Sequence, residues 1–285
     1  MTLPSATLLA QSALSGVFIG SLYGLIGLGL SLSWGLLHVI NLAHFGLAFL
    51  AAYLCYQLAG VGGIDPLLTL LLIVPTFFAV GAAMQWLLSR FAVSPLNSLL
   101  ATFGITAVIE AGIQGVWTAD FRKLESAYAT QKFQVGGLFV PVPELMTLVI
   151  ACVLSFAIWA AMRYTQLGRA LRALAEDAPV ATAFGINPSA HALLLSGTCG
   201  ALAGVAGVCL ALCFTLTPAE IYAWIGVVFA AVMLGGLGSP LGPLFAGIVI
   251  GVSEAVAMVF ASPSWAPIVP FTLLIALLLL RPGQS

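Results

Sequence analysis

Acidic and histidine side chains interrupt apolar stretches of this chain and are its candidates for chemistry. Glu110 and Glu254 fall within long apolar runs, and Glu220 falls close to the end of one. His44 follows a short polar turn. A carboxylate inside a membrane span is costly, so it usually faces a cavity or a partner. For Glu254, the alternative is a carboxylate near a helix end that reaches the membrane interface.

The remaining reactive residue types do not form a catalytic or metal-binding pattern. No nucleophile stands at a suitable spacing from a base. The five cysteines lie in apolar runs without the paired spacing of metal ligands, so we interpret them as packing residues. An intramembrane enzyme that uses His44 with a nearby carboxylate is therefore the weakest hypothesis. The pattern favours binding or transport.

The stretch HVINLAHFG, residues 38–46, is polar and lies between two apolar runs. Asn41 is of a type that caps a following helix. A helix that begins at membrane depth directs its free N–H groups and positive dipole end at whatever lies there. One interpretation is a broken or re-entrant helix whose Asn41 and His44 line a substrate path. The other is a surface loop in which Asn41 only caps the helix.

A second break, MLGGLGSPLGP at residues 233–243, contains four glycines and two prolines and cannot sustain a helix. Irregular backbone at membrane depth is tolerated only where it is buried in protein or lines an aqueous cavity. One interrupted segment in each half of the chain is typical of a transport path. We therefore predict that the path is also lined by Gly235, Gly236 and Gly238.

Residues 164–187 form a polar segment between two apolar runs, in a chain that is 6% charged. Apolar residues recur there three or four positions apart, which predicts one face of a helix: Leu167, Leu171, Leu174, Ala178 and Ala181. Pro179 fits only the first turn of a second helix, so two short helices should meet near Ala178. Gly185 suits a left-handed helix end, and Asn187 followed by Pro188 predicts the start of a third helix. We call residues 164–187 the elbow; it suits either docking to a soluble partner or an ordinary cytosolic loop.

Composition sets the fold class. The chain has 285 residues, is 62% hydrophobic and has a mean hydropathy of +1.17, which indicates a polytopic, all-α membrane protein. A net charge of −1 argues against a nucleic-acid partner. Residues 1–64 carry no charged side chain, so the first apolar run lacks the positive region of a signal peptide and should be retained. We predict eight or nine spans: 8–33, 41–60, 66–89, 96–117, 145–163, 188–214, 221–236, 240–262 and 265–281.

Basic residues predict the orientation, and glycines predict close packing. Arg163, Arg169 and Arg172 flank or lie in the elbow, which places it in the cytoplasm and residues 118–143 outside. Gly16, Gly20 and Gly24 form a row of small residues on one helical face. Such a row indicates tight packing within one bundle, or alternatively dimerisation.

Four stretches together resemble the integral-membrane permeases of ABC importers for branched-chain amino acids, the LivH type. They are GVFIGSLYGLIGLGL (16–30), VINLAH (39–44), RALAEDAPVATAFGIN (172–187) and FAAVMLGGLGSPLGPLFAGIVIGVSE (229–254). The resemblance runs from about Gly16 to Pro282. It implies a single permease domain over residues 1–285, multi-pass in a bacterial inner membrane, with residues 164–187 as its ATPase-coupling loop.

The resemblance also implies partners. The assembly would contain a second permease subunit, often a paralogue, two cytoplasmic ATPases and an extracytoplasmic solute-binding protein. The chain has no G-x-x-x-x-G-K-[ST] motif, so we expect it to bind no cofactor and to catalyse no reaction, with ATP bound by the partner subunits. The implied coupling residues are Arg172, Glu176, Asp177, Ala181 and Gly185.

The sequence departs from the family pattern near the expected path. Phe45-Gly46 stands where the family commonly has Gly-Glu, Val228 stands where a Lys is common, and Ser94 replaces a common basic residue before Pro95. The family also serves urea, short amides and other amino acids, and a less charged path would suit a less polar solute. The second hypothesis for function is a passive channel for a small neutral solute such as urea or an amide.

Overall fold

The computed structural model describes residues 5–91, 95–261 and 265–280. Over these residues, eight helical segments are long and apolar enough to cross a membrane, which confirms the polytopic helical fold. The helices are α1 (Ala6–Leu37), α2 (Ala43–Cys55), α3 (Leu70–Phe91), α4 (Pro95–Trp117), α5 (Val142–Tyr164), α6 (Gln166–Glu176), α7 (Ala178–Ala183), α8 (Pro188–Cys213), α9 (Ile221–Gly235), α10 (Gly242–Phe260) and α11 (Ile268–Leu280).

Three predicted spans differ in detail from the structure. A π-helical turn, Tyr56–Val61, extends α2 so that Ala43–Val61 reaches 19 residues. A 3₁₀ turn, Pro218–Glu220, extends the short predicted span at 221–236 to 18 residues. The last predicted span, 265–281, corresponds to α11, which has 13 described residues and falls below the length of a full crossing.

A β-hairpin interrupts the otherwise helical chain and was not predicted. Strand β1 (Lys132–Val135) pairs antiparallel with β2 (Leu138–Pro141). Gly136 and Gly137 form the two-residue turn with φ of 59° and 85°, the backbone that a tight hairpin requires. The Gln11 side chain donates to the Phe139 carbonyl at 3.0 Å and accepts from the Phe139 N–H at 2.8 Å, so the hairpin is attached to α1.

The centre of the bundle is built from α1 and α8, the two most buried spans. The predicted glycine row of α1 packs within the chain, against α10. A Cβ on Gly20 would overlap the Gly247 carbonyl, and one on Gly16 would overlap Gly251. These glycines therefore let the two helix backbones touch, which in lipid strengthens van der Waals packing.

Candidate functional site

The elbow begins where α5 stops. The Thr165 hydroxyl accepts the Gly168 N–H at 3.2 Å and so caps α6. A Cβ on Gly168 would overlap the backbone of Met162, so only glycine lets α6 fold back this closely on the end of α5. The result is a sharp change of direction at the end of the span.

The helix ends that the sequence predicts at Gly185 and Asn187 are present, and Asp177 supplies a further cap that was not predicted. Asp177 separates α6 from α7 and accepts the Val180 N–H at 3.0 Å, with Pro179 in the first turn of α7. Gly185 has a φ of +85°, and the Ile186 N–H then donates to the Ala181 carbonyl at 3.2 Å, which closes α7. Asn187 caps α8 by accepting the Ala190 N–H at 3.2 Å. The two helices meet near Ala178, as the sequence predicts.

One face of the elbow holds it to the membrane spans. Leu171 is 2% exposed and belongs to a hydrophobic cluster that α1, α5 and α8 also enter. Ala181 is buried as well, whereas Leu167 is 40% exposed, so the predicted apolar face is only partly covered. The other buried members of this cluster are Leu28, Leu32, Leu36, Met162, Leu195, Cys199 and Leu202.

The opposite face of the elbow is exposed and chemically mixed. Glu176 and Asp177 are exposed, and they lie near an apolar patch that sequence reasoning missed. That patch contains Phe184, which is 85% exposed, and Val180, which is 51% exposed. Large side chains this exposed on an element outside the bundle are typical of a surface that a partner covers. The signal in the sequence was an aromatic residue directly before the helix-ending Gly185.

The glycine-rich break forms a tight turn between α9 and α10, with positive φ at Gly236 (89°) and Gly238 (74°). The turn is fastened to α1, because the Gly238 N–H donates to the Ser31 carbonyl at 3.0 Å. The Ser31 hydroxyl in turn donates to the Gly236 carbonyl at 3.3 Å. Gly235 packs directly on Gly242 across the turn. That these glycines line a solute path stays a prediction.

The turn and the elbow face the same cavity of about 300 Å³. Gly238, Ser239 and Pro240 line one side of this cavity. Arg172 of the elbow lines the other side, together with Trp159, Met162 and Arg163 of α5. Two elements that the sequence singled out separately, the glycine turn and the charged elbow, therefore meet at one end of the bundle.

Asn41 does not cap α2, so the interpretation of this residue as a simple helix cap is wrong. The N-cap position is Leu42, whose backbone N–H is bound by the Thr102 hydroxyl of α4 at 3.2 Å. Asn41 is buried, and its Oδ1 atom has no hydrogen-bond partner. A buried carbonyl oxygen without a donor costs free energy, so it is a candidate to bind a ligand or water.

His44 points into the bundle and is 2% exposed. Its Nε2 atom lies 2.9 Å from the Ile26 carbonyl of α1, and its ring fills the space that a side chain on Gly29 would occupy. The 38–44 segment and the glycine turn therefore both contact α1, between Ile26 and Gly35. The structure joins the two predicted path regions through this one helix.

Glu254 is the only acidic residue among the buried residues that the structure describes. It accepts the Tyr23 hydroxyl at 3.0 Å and lines a cavity of about 450 Å³. Glu254 is therefore turned into the bundle, where the Tyr23 hydroxyl binds it. The Glu110 carboxylate accepts a hydrogen bond from the Gln114 side chain, one turn along α4. Glu220 is the last residue of the 3₁₀ turn before α9. Sequence reasoning missed Tyr23, because a tyrosine within an apolar span carries no local signal of its distant partner.

Two positions at which the sequence departs from the resembling family carry buried apolar side chains. Phe45 is buried and stacks on Phe229 with ring centroids 6.3 Å apart. Val228 is fully buried in the same hydrophobic core. The third such position, Ser94, lies outside the described residues. Within the described ranges, no three His, Cys, Asp or Glu side chains are grouped as metal ligands would be.

Comparison with known proteins agrees with these features. The family model for the permease component of branched-chain amino acid transport systems matches residues 12–278. The chain is 28% identical to the high-affinity branched-chain amino acid transport system permease protein LivH of Escherichia coli K12, over 95% of this chain and 93% of that protein. LivH of Salmonella typhimurium LT2 is 27% identical with the same coverage.

A protein of Pseudomonas is similar to this chain as well. The permease protein BraD of Pseudomonas aeruginosa PAO1 is 26% identical over 95% of this chain and 94% of its own length. No solved structure shows a significant match. The match of the family model extends over the elbow, the glycine turn and the Glu254 cavity. This chain belongs to the family of permease components of branched-chain amino acid transport systems.

Proposed function

We propose that this chain is the membrane-spanning subunit of an ATP-driven importer for amino acids, branched-chain or closely related small solutes. The elbow is the observation that carries the proposal. It is a capped helical unit that is held to the bundle through Leu171 and exposes Glu176, Val180 and Phe184 on its other face. A passive channel has no need of such an element, whereas an importer needs a surface through which ATP hydrolysis acts on the membrane spans.

The packing supplies a mechanical route for this coupling. Leu171 of α6 shares its hydrophobic cluster with Leu32 and Leu36 of α1. The residues directly before these two leucines on α1, Ser31 and Gly35, contact the glycine turn. When a partner ATPase pulls on the elbow, α5 and α8 tilt and α1 transmits the motion to the α9–α10 turn. Rigid-body motion of this kind alternates the access of a central path.

The proposal defines the assembly and its orientation. The elbow lies in the cytoplasm of a bacterial inner membrane, where two ATPase subunits bind ATP and dock on it. A second permease subunit, a copy or a paralogue, completes the membrane domain. An extracytoplasmic binding protein delivers the solute to the opposite face, which carries the β-hairpin. This chain itself performs no hydrolysis.

Co-purification tests the proposal directly. The chain would be solubilised from membranes of its native host in detergent, purified under mild conditions, and its companions identified by mass spectrometry. We expect ATPase subunits and a second permease, and we expect the reconstituted complex to take up radiolabelled leucine only when ATP is supplied. Recovery of the chain alone, with solute uptake that does not need ATP, would instead establish the channel.

A charge reversal in the elbow tests the docking surface. Glu176→Lys changes an exposed charge and leaves the capping side chain of Asp177 in place. Glu125→Lys makes the same change at an exposed position in the loop between α4 and β1 and serves as the matched control. We expect the first variant to lose ATPase subunits and ATP-driven uptake, and the second to keep both. Equal behaviour of the two variants would count against docking at the elbow.

A further inference from the structure

We propose that the cavity lined by Glu254 and Tyr23 is a binding site for a small ammonium ion with an apolar body. This inference rests on the proposed function, because the ligand would be the amino group and side chain of the transported amino acid. The site lies between α1, α9, α10 and α11, away from the glycine turn and from Asn41.

The cavity has the size and lining of a small-molecule site. Its volume is about 450 Å³, within the usual range of roughly 300–1,000 Å³ for ligand pockets. Ile19, Val227, Met258 and Phe271 contribute apolar surface to its wall. Gly226 keeps space open for the Phe271 ring, because a Cβ there would lie 2.7 Å from that ring. A branched hydrocarbon group fits such a wall.

The acidic group in the cavity is held in place through one of its two carboxylate oxygens. The Tyr23 hydroxyl donates to Oε2 of Glu254 at 3.0 Å. Tyr23 is itself fixed by Trp224, whose ring meets it edge to face with centroids 5.5 Å apart. The second carboxylate oxygen, Oε1, has no donor among the residues that the structure describes. One hydrogen-bond position on a fixed carboxylate is therefore available.

The charge of the cavity selects a cation. None of the described residues that line it is Lys or Arg. A buried carboxylate without a cationic partner is costly, and a ligand that brings its own ammonium group removes that cost. The Tyr222 hydroxyl, also in the lining, adds a neutral polar group that can accept from the ammonium. A neutral apolar molecule gains the wall contacts but not the charge-assisted hydrogen bond.

Binding to the purified full-length chain in detergent tests the site with three probes of similar shape. Isoamylamine carries the ammonium, isoamyl alcohol is its neutral counterpart, and isovalerate carries the opposite charge. We expect isoamylamine to bind and to raise the melting temperature, and we expect the alcohol and the acid to bind at least about tenfold more weakly. Equal binding of amine and alcohol would show an apolar groove only and would overturn the proposal.

Variants locate the binding. Glu254→Gln removes the negative charge but can still accept the hydrogen bond from the Tyr23 hydroxyl, so we expect this variant to fold. Its affinity for isoamylamine should fall by about tenfold or more. Glu125→Gln removes an exposed carboxylate in the loop between α4 and β1, outside the cavity, and should bind isoamylamine like the unchanged chain. Isoamylamine binding that Glu254→Gln leaves unchanged would overturn the proposal. The wild-type preference for the amine decides the question even where the variant does not fold.

The two proposals fail separately. Binding of isoamylamine to the solubilised chain needs no ATPase, so it reports on the cavity alone. ATP-driven leucine uptake by the complex reports on the proposed function. Uptake without amine binding would overturn the cavity proposal and leave the importer, whereas amine binding without ATP-dependent uptake would overturn the importer and leave the cavity.

Discussion

Gly35 of α1 and Gly238 of the α9–α10 turn are in backbone contact, because a Cβ on Gly35 would overlap the Gly238 nitrogen. The contact lies within the same part of α1 that packs on the elbow through Leu36. Because the backbones are in contact, α1 and the α9–α10 turn have no space to move independently here. A displacement of α1 must therefore move the turn.

Substitution at this contact should damage the fold, whereas a glycine facing open space should tolerate it. Gly35→Ala introduces a backbone clash that we expect to cost about 1–3 kcal/mol, seen as a lower melting temperature in detergent. Gly104→Ala is the matched control on helix α4, because nothing lies within 4 Å of its added Cβ. Alanine there should be neutral or stabilising by up to about 1 kcal/mol. Equal melting temperatures for the two variants would contradict the packing.

The cap at Asp177 should control the local stability of α7. Asp177→Ala removes the acceptor of the Val180 N–H, at a cost of about 1 kcal/mol for a helix cap. Hydrogen exchange at Val180 should then accelerate by about fivefold. Asp177→Asn keeps an acceptor and should show little change. An exchange rate that is the same for Ala and Asn would mean that this hydrogen bond does not hold the helix.

Asn41 should affect function more than stability. Its buried Oδ1 has no partner, so Asn41→Ala removes an unsatisfied acceptor and should change the free energy of unfolding by less than about 1 kcal/mol. If the oxygen contacts solute, uptake by the variant should fall at unchanged melting temperature. Thr102→Ala is the contrast, because it leaves the Leu42 N–H without its partner and should lower the melting temperature. Normal uptake by Asn41→Ala would exclude Asn41 from the path.

The pair of Asp65 and Tyr128 should give the loops at the end opposite the elbow a pH dependence. The Tyr128 hydroxyl donates to Asp65 at 2.7 Å and, with the Leu67 and Leu68 N–H groups, lowers the pKa of that carboxyl below its ordinary value. The same bond raises the pKa of Tyr128. A lowered carboxyl pKa stabilises the fold above the ordinary value, and the contribution is lost as pH falls through the lowered pKa.

The variant Tyr128→Phe isolates this effect. At neutral pH the unchanged chain should melt at a higher temperature than Tyr128→Phe, because only the former has the hydroxyl donor. The difference should shrink as the solution is acidified and the carboxyl of Asp65 becomes protonated. Thr130→Ala, at an exposed position in the same loop, controls for general effects of substitution there. A difference that persists in acid would show that the Asp65 charge plays no part.

Patterns in the sequence predicted the structural features that depend on residues close together in the chain. The spacing of apolar residues and the charges identified the elbow. The residue types at Gly185 and Asn187 predicted two of its helix ends, because a cap involves atoms only a few residues apart, whereas the cap at Asp177 was not predicted. Long apolar runs predicted the spans to within a few residues, since a bilayer sets their length. The hairpin at Gly136-Gly137 was missed although its turn chemistry is also local.

Only the tertiary structure decided which distant residues meet. The sequence marked Glu254 as costly but gave no partner, and the fold brings Tyr23, 231 positions away, to its carboxylate. The sequence indicated the glycine turn and the elbow as separate features. In the structure, α1 connects them, because Ser31 binds the turn and Leu36 packs against the elbow. Such pairings depend on how whole helices cross, which follows from side-chain shape along their full length and not from spacing within one segment.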